Sequence, residues 1–383
     1  MKKIITKQLA RSFIAACALV FGTLSVVAPV SCRLTEEGLE IVPADTAAPA
    51  VEEFTVLGSD RIFVSCSKKI VLDNISVVET EADDIIADYA ETDYENVFAT
   101  AESVTYDESG KSAEIVLTAA TSVGKNYIFS GIVYDEAGNS LEFSQRFCGY
   151  NEEPAKLLIS EVRYNKSSSS TKTKKTEFIE FYVLESGNLA GLEVVSAANS
   201  ENKKYSFPSI NVKRGEYIVL HGQLYEEMGA TAIDELGEDL TLSTAHESCA
   251  TARELWRKAT DKFISQTDVI MLRESSMNKI KDAVLLSTSG KVEWTKGIKA
   301  FAEKVQSAGV WEDALNPDKA VCTDVTGTST TSCSVSRQNI AELAMRYADG
   351  AAVPDVIPTC ASDWLITMPA TPGYENSSNP YVK

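Results

Sequence analysis

The 383-residue sequence predicts a mostly β protein: two β-sandwiches in tandem, the second with α-helical insertions. Three features predict it. Between residues 59 and 150, apolar residues recur at every second position in short runs separated by turn residues, the period of a half-buried strand. A second series of short strands runs from Leu157 to Ser287. Two segments, 223–264 and 291–321, carry instead the three-to-four-residue spacing of amphipathic helices.

Ahead of the strands, Lys2, Lys3, Lys7 and Arg11 precede the uncharged run SFIAACALVFGTLSVVAPV. A basic start, an apolar middle and small residues after it make residues 1–31 an export signal rather than a membrane-spanning helix. No later stretch is long and apolar enough to span a bilayer. The signal ends in APVSC, which resembles a bacterial lipobox, although Pro29 stands where that motif usually has leucine. The resemblance implies that Cys32 becomes the lipidated first residue and that the protein is anchored to the bacterial cell envelope. Residues 32–49, with Pro43 and Pro49, then read as a short tether.

Thirty-six Lys and Arg against 55 Asp and Glu give a formal charge of -19. Removing the signal's four positive residues takes it to -23 (-19 minus 4). Such a surface repels polyphosphates, so no nucleic-acid partner is expected. Solubility outside the cytoplasm is the simplest role for the acidity. The tract VETEADDIIADYAETDYENVF (78–98) lacks the spacing and central glycine of the twelve-residue calcium loop. Calcium there is the lesser expectation, and no other cofactor is expected.

Setting aside Cys17 in the signal and Cys32 as the anchor leaves Cys66, Cys148, Cys249, Cys322, Cys333 and Cys360. Six is even, as expected for paired thiols in an oxidising compartment. None forms a CxxC or a Cys/His cluster, so no metal site is expected.

The first folded unit spans residues 50–150. SDRIFVSCSKKI places Ile62, Val64 and Cys66 on one face, and SAEIVLTAA and NYIFSGIVYDEAGNSLEFSQRFCGY continue the alternation. DEAGN (135–139) is a turn in which Gly138 supplies positive φ. Strands of this length without helices imply a sandwich. The stretch from IFVSCSKKI through YIFSGIVYDEAGNSLEF resembles bacterial Ig-like repeats of the surface-layer type. Cys66 and Cys148 fall on the early and final strands of that pattern and are expected to pair.

The second unit contains LLISEVRYN, TEFIEFYVLE, SGNLAGLEVVSA, KKYSFPSINVKRGEYIVLHG and TDVIMLRESSMNKIKDAVLLS. The order ISEV…EFIEFY…NLAGLEV…YSFP…RGEYIVL…DVIML…IKDAVL…SVSR…DW…ATPGYEN resembles the lamin-tail domain, an Ig-like sandwich found in lamins and many exported bacterial proteins. It covers residues 155–376, with 377–383 as a tail, and departs at Val183, where that family commonly has asparagine. The insert 223–264 spaces Leu255, Ala259 and Phe263, with Trp256 beside them. The insert 291–321 spaces Ile298, Phe301, Ala302 and Val305. The two are expected to pack together as a helical cap. The last four cysteines permit three connectivities. Cys249–Cys322 and Cys333–Cys360 are expected, because each joins elements expected to be neighbours.

Candidates for chemistry are few. The two histidines, His221 and His246, sit in no G-x-S-x-G or H-E-x-x-H context, and no glycine-rich phosphate loop is present, so no catalytic residue is assigned. Glu180 lies between Phe178 and Tyr182 on one strand face, and Glu161 of ISEVRY would meet it on a paired strand. Paired carboxylates can share a proton, hold a divalent ion, or act as acid and base. The lamin-tail resemblance implies acidic residues at both positions in domains that are not enzymes. An ionised pair buried without a cation costs several kcal/mol. Both acids are therefore expected to face water, or to bond loop backbone or a base, Arg337 before Arg163. Trp256, Trp294 and Trp311 could grip a ligand from the cap, but as core residues they would fasten the inserts.

The sequence thus reads as an exported, lipid-anchored, non-enzymatic envelope protein presenting two modules for tethering or recognition of a protein or glycan. The alternatives are a hydrolase with an acidic or metal site around Glu161 and Glu180 beneath the helical cap, and a structural spacer without a ligand.

Overall fold

The structure, a computed structural model, describes residues 30–35, 38–43, 45–80, 96–167, 173–199, 203–275, 279–325, 330–348 and 350–382. Nearly all of the export signal (1–29) and most of the acidic tract (81–95) lie outside the described residues. Cys32 falls in strand β1 (Val30–Thr35), which pairs antiparallel with β2 (Gly38–Pro43), so part of the expected tether is a hairpin.

The first unit contains β3 (Val51–Gly58), β4 (Arg61–Cys66), β5 (Ile70–Thr80), β6 (Val97–Tyr106), β7 (Ser112–Leu117), β8 (Asn126–Asp135) and β9 (Ser140–Cys148). They are hydrogen-bonded in the order β3-β4-β7-β6-β5-β8-β9. β6 pairs with β5 at its start and with β7 further along, so the two halves close over one core. Burial alternates as the sequence does: Ile62, Val64 and Cys66 all point inward. At the DEAGN turn Gly138 has φ 87°, and Asp135 Oδ1 accepts the amides of Ala137 and Asn139 at 3.0 and 2.8 Å. The Asn139 side chain, with Lys68 at 3.1 Å, holds the Asp135 carboxyl down at about 2.

The expected Cys66–Cys148 bond does not form. Cys66 lies at the end of the sandwich where Ile70 pairs with Asp135, whereas Cys148 pairs with Asn126 at the other end. The ten-residue β8 separates those ends, which at ~3.3 Å per residue is several times the ~4.4–6.8 Å between Cα atoms that a disulfide spans.

The second unit packs two sheets. One has the order β17-β16-β11-β10-β21-β22, from β10 (Lys156–Arg163), β11 (Phe178–Glu185), β16 (Tyr217–His221), β17 (Ala252–Trp256), β21 (Ser334–Arg337) and β22 (Trp364–Thr367). The other has the order β14-β13-β18-β19-β20, from β13 (Leu192–Ser196), β14 (Lys204–Ser206), β18 (Asp268–Glu274), β19 (Ile280–Ser287) and β20 (Val321–Cys322). The small pair β12 (Gly187–Asn188) and β15 (Asn211–Val212) lies beside them. Ile159, Val162, Ile179, Phe181, Ile218, Leu220, Leu255 and Val335 belong to the shared core.

Unlike those of the first unit, these strands are buried along nearly their whole length, which requires cover on both faces. Behind β18 and β19 lies the helix Lys296–Ser307, burying Ile298, Phe301, Ala302 and Val305 as their spacing predicted. Residues 223–251 and 368–376 cover the six-stranded sheet.

The first insert is therefore not a helix. Ala252–Trp256 forms a strand parallel to β16, and its period of two sends Leu255 inward and Trp256 to the outer face. The helical spacing of Leu255, Ala259 and Phe263 is coincidental, because only the first of them is in a regular element.

Nor are the tryptophans a binding surface. Trp256, Trp294 and Trp311 are at most 6% exposed, and the indoles of Trp294 and Trp311 donate to Ala314 O and Lys319 O. All six cysteines of the folded part are free. Cys249 is buried at the six-stranded sheet, while Cys322 is exposed on the edge strand of the other sheet. Cys333 precedes β21, and Cys360 lies beyond the far end of the β21–β22 ladder. Each expected pair therefore joins places the fold keeps apart.

Candidate functional site

Strand alternation and register build an ionisable band on the outer face of the six-stranded sheet. Glu161 of β10 pairs with Glu180 of β11, which pairs with Val219 of β16, which pairs with Glu254 of β17. Ser336 of β21 lies opposite Glu161 on the other side. Two residues along runs a second row, Arg163–Phe178–His221–Trp256. Glu161, Glu180, His221 and Glu254 are each 0% exposed. Of the three surroundings expected for Glu161 and Glu180, water, a base or loop backbone, the structure gives the last: both are sealed beneath the covering segments.

The cover binds directly to the band. Both oxygens of Glu161 accept the Thr371 amide, at 3.0 and 3.1 Å, and Oε1 also accepts the hydroxyls of Ser334 and Ser336. Glu180 Oε2 accepts the Gly373 amide at 2.6 Å, while its Oε1 is buried without a hydrogen-bond partner. Asn376 donates to Ser160 O and Arg337 O.

Neither expected arginine bonds the pair. Arg163 is held by both oxygens of Glu247 and by Thr176 O, over the Phe178 ring. Arg337 reaches across the sandwich to Asp282 of β19 at 3.0 Å. Burial pushes both carboxyls of the pair above the ordinary range, and Glu180 is raised further by the charge of Glu161. The pair therefore retains a proton where a solvated carboxylate would have lost it.

Along the second row, His221 Nε2 lies 2.5 Å from Glu254 Oε2 and its Nδ1 3.1 Å from Thr176 Oγ1. Trp256 stacks on the imidazole at 3.8 Å between centroids. Thr–His–Glu in this order is the chain of contacts a nucleophile–base–acid relay uses. Sequence reasoning missed it, because Thr176, His221 and Glu254 belong to no local motif and meet only through strand register. Thr176 is 1% exposed. Two cavities, of about 50 and 220 Å³, lie elsewhere, against Leu157, Leu184 and Val353 and against Asn339, Arg346 and Tyr347. Neither cavity touches the relay or the Glu161–Glu180 pair, and the helix expected as a cap packs on the other sheet. Among the described residues, no three side chains are grouped to hold a metal ion.

Other buried acids that the sequence did not single out do the same work as the pair. Glu177 Oε2 accepts the amides of Phe263 and Ile264, and Glu235 those of Ser243 and Glu254. Glu254 Oε1 accepts that of Cys249. Asp268 accepts those of Ser265 and Ala198, and its burial raises its carboxyl to about 6.

Fold and band together define a tandem β-sandwich protein whose second unit is closed by irregular segments seated on buried acids. The chain belongs to the family TP_1001_2nd, described as a protein second domain, whose model matches residues 155–366, more than half the chain. An uncharacterized protein of Treponema pallidum (strain Nichols) is 34% identical over 164 residues, 43% of this chain and 39% of the relative. The chain thus spans about two fifths of the length of that curated relative. Among solved structures, the N-terminal part of the bacterial S-layer protein SbsC aligns with 63% of this chain and 44% of its own at 15% identity and TM-score 0.23. A DUF4876 family protein from Bacteroides thetaiotaomicron aligns with 70% of this chain and 83% of its own at 10% identity and TM-score 0.27. Likenesses this distant decide nothing about function.

Proposed function

We propose that this is an exported, envelope-anchored, non-enzymatic lipoprotein whose Ig-like and lamin-tail-like modules are presented for tethering or recognition of a protein or glycan. The observation that carries this reading is the use made of Glu161 and Glu180. They are the acids around which a hydrolase with an acidic site would be built, yet their oxygens accept the Thr371 and Gly373 amides of the chain's own closing segment. A carboxylate engaged in holding the fold is not free for a substrate. Anchoring rests on the APVSC sequence at Cys32.

Mass spectrometry of the mature N-terminus and membrane fractionation test the anchor: Cys32 should carry the lipid, and Cys32→Ser should leave the chain unlipidated. An unmodified N-terminus at another residue would sink it. The non-enzymatic half is tested with Glu180→Gln. A wild-type hydrolytic activity that disappears in a folded variant would make the protein a hydrolase.

A further inference from the structure

Residues 370–376 cross the outer face of the six-stranded sheet, held by the Thr371 and Gly373 amides on the acid pair, by Ala370 N on Ser332 O, by Gly373 O, which accepts the Thr251 hydroxyl at 3.3 Å and the Cys249 thiol, and by the Asn376 side chain. We propose that the Glu161–Glu180 pair is a proton-operated latch, holding this closing segment on the sheet while one of the two carboxyls keeps its proton and releasing it when both carboxyls ionise.

The geometry is that of two carboxyls on directly paired residues of neighbouring strands, both fully buried. One ionised and one neutral carboxyl can coexist there, with both segment amides accepted. Two ionised carboxyls repel each other where no water screens them, as in any dry dyad. The ionisable groups around the pair do not relieve this. Arg163 on β10 favours the charged form of Glu161, but both oxygens of Glu247 already hold its guanidinium. From the other elements come Tyr182 and Tyr217 on β11 and β16, Cys249 from the cover, and Tyr374 and Glu375 on the segment itself. None of these is a cation.

The segment runs from the buried pair to the surface. Gly373 lies where a Cβ would come within 2.6 Å of the Cys249 Cβ, so the backbone sits directly on the thiol, yet the next residue, Tyr374, is 58% exposed.

The direction of the effect follows from where the protons are bound. The closed form holds a proton above the range in which the opened form has lost it. Latching is therefore complete below the ordinary carboxylate value of about 4.3, and is lost as pH rises through the raised value of the closed pair. Within that window each pH unit favours opening about tenfold per proton released.

Amide hydrogen exchange on the intact mature chain from pH 4 to 9, corrected for the intrinsic rate, reads this directly. Peptides covering 368–382 should lose protection about tenfold per pH unit within the window, while peptides from β8 and β9 stay flat. In Glu180→Gln the slope over the closing segment should be shallower than in the wild type, because only the buried Glu161 carboxyl is left to titrate. A wild-type segment whose protection does not change with pH, or a reference that loses it in parallel, would overturn the latch. So would an equal slope in the variant. If Glu180→Gln does not fold, the wild-type segment against its own β8–β9 reference decides alone.

Discussion

Replacing Arg337 with methionine should destabilise the second unit far more than a surface change would. Arg337 and Asp282 are both 0% exposed, and their 3.0 Å contact joins β21 of one sheet to β19 of the other. Asp282 Oδ2 also accepts the Ile159 amide at 2.7 Å, beyond the last β10–β21 partners, Glu161 and Ser336. Burial raises the Asp282 carboxyl even against the pull of Arg337, a sign of how dry the site is. Removing one partner of such a pair costs about 3–5 kcal/mol, because the other charge is left uncompensated. At ~2–4 °C per kcal/mol for a unit of this size, the thermal midpoint should fall by roughly 6–20 °C. Asp282→Asn, which keeps an acceptor for Ile159, should cost a comparable amount by stranding the guanidinium. The double variant buries no charge and should be more stable than either single variant. Urea unfolding of all four proteins closes the cycle. If the losses add in the double variant, or if Arg337→Met costs under about 1 kcal/mol, the pair is not the buried, coupled contact described above.

Two further outcomes are expected. Phe301→Ala removes the largest side chain that the helix Lys296–Ser307 buries, and should cost about 3–5 kcal/mol by urea unfolding; a loss below about 1 kcal/mol would mean that the helix is not part of the core. Non-reducing peptide maps should contain no Cys66–Cys148 linkage, since those residues lie at opposite ends of the first sandwich; finding one would disprove that strand arrangement.

Much of the fold was legible because its first unit is half-exposed. Ile62, Val64 and Cys66 alternate with wetter neighbours, so period two stands out in the sequence and in the structure alike. The helix at Lys296–Ser307 was legible for the matching reason, since it buries one face and leaves the other wet. β17 was not, because both of its faces are covered and its five residues are too few to separate the two periods. The acid pair was half legible. Strand alternation in EFIEFY and ISEV placed Glu161 and Glu180 on one face. Their burial was hidden because the residues that seal them, 223–251 and 368–376, have no periodicity and lie far away in sequence.

The buried acids and the irregular cover have a common explanation. A segment that packs on a sheet without joining it has backbone amides that no ladder can satisfy, and an unpaired buried amide costs about 1–3 kcal/mol. A carboxylate offers several acceptor positions at the end of a side chain and can take two amides at once. The observed pairings follow that logic: Glu177 with Phe263 and Ile264, Glu235 with Ser243 and Glu254, Asp268 with Ser265 and Ala198, and Glu161 and Glu180 with the closing segment. Glutamine could replace Glu177, whose one oxygen takes both amides, and keep the acceptor, whereas at Glu235 its NH2 would face one of the two amides served by separate oxygens, and alanine would strand both. An acid used this way needs no ligand to account for it. Glu161 and Glu180 stand apart because they lie side by side, where one of the two acceptors works best uncharged.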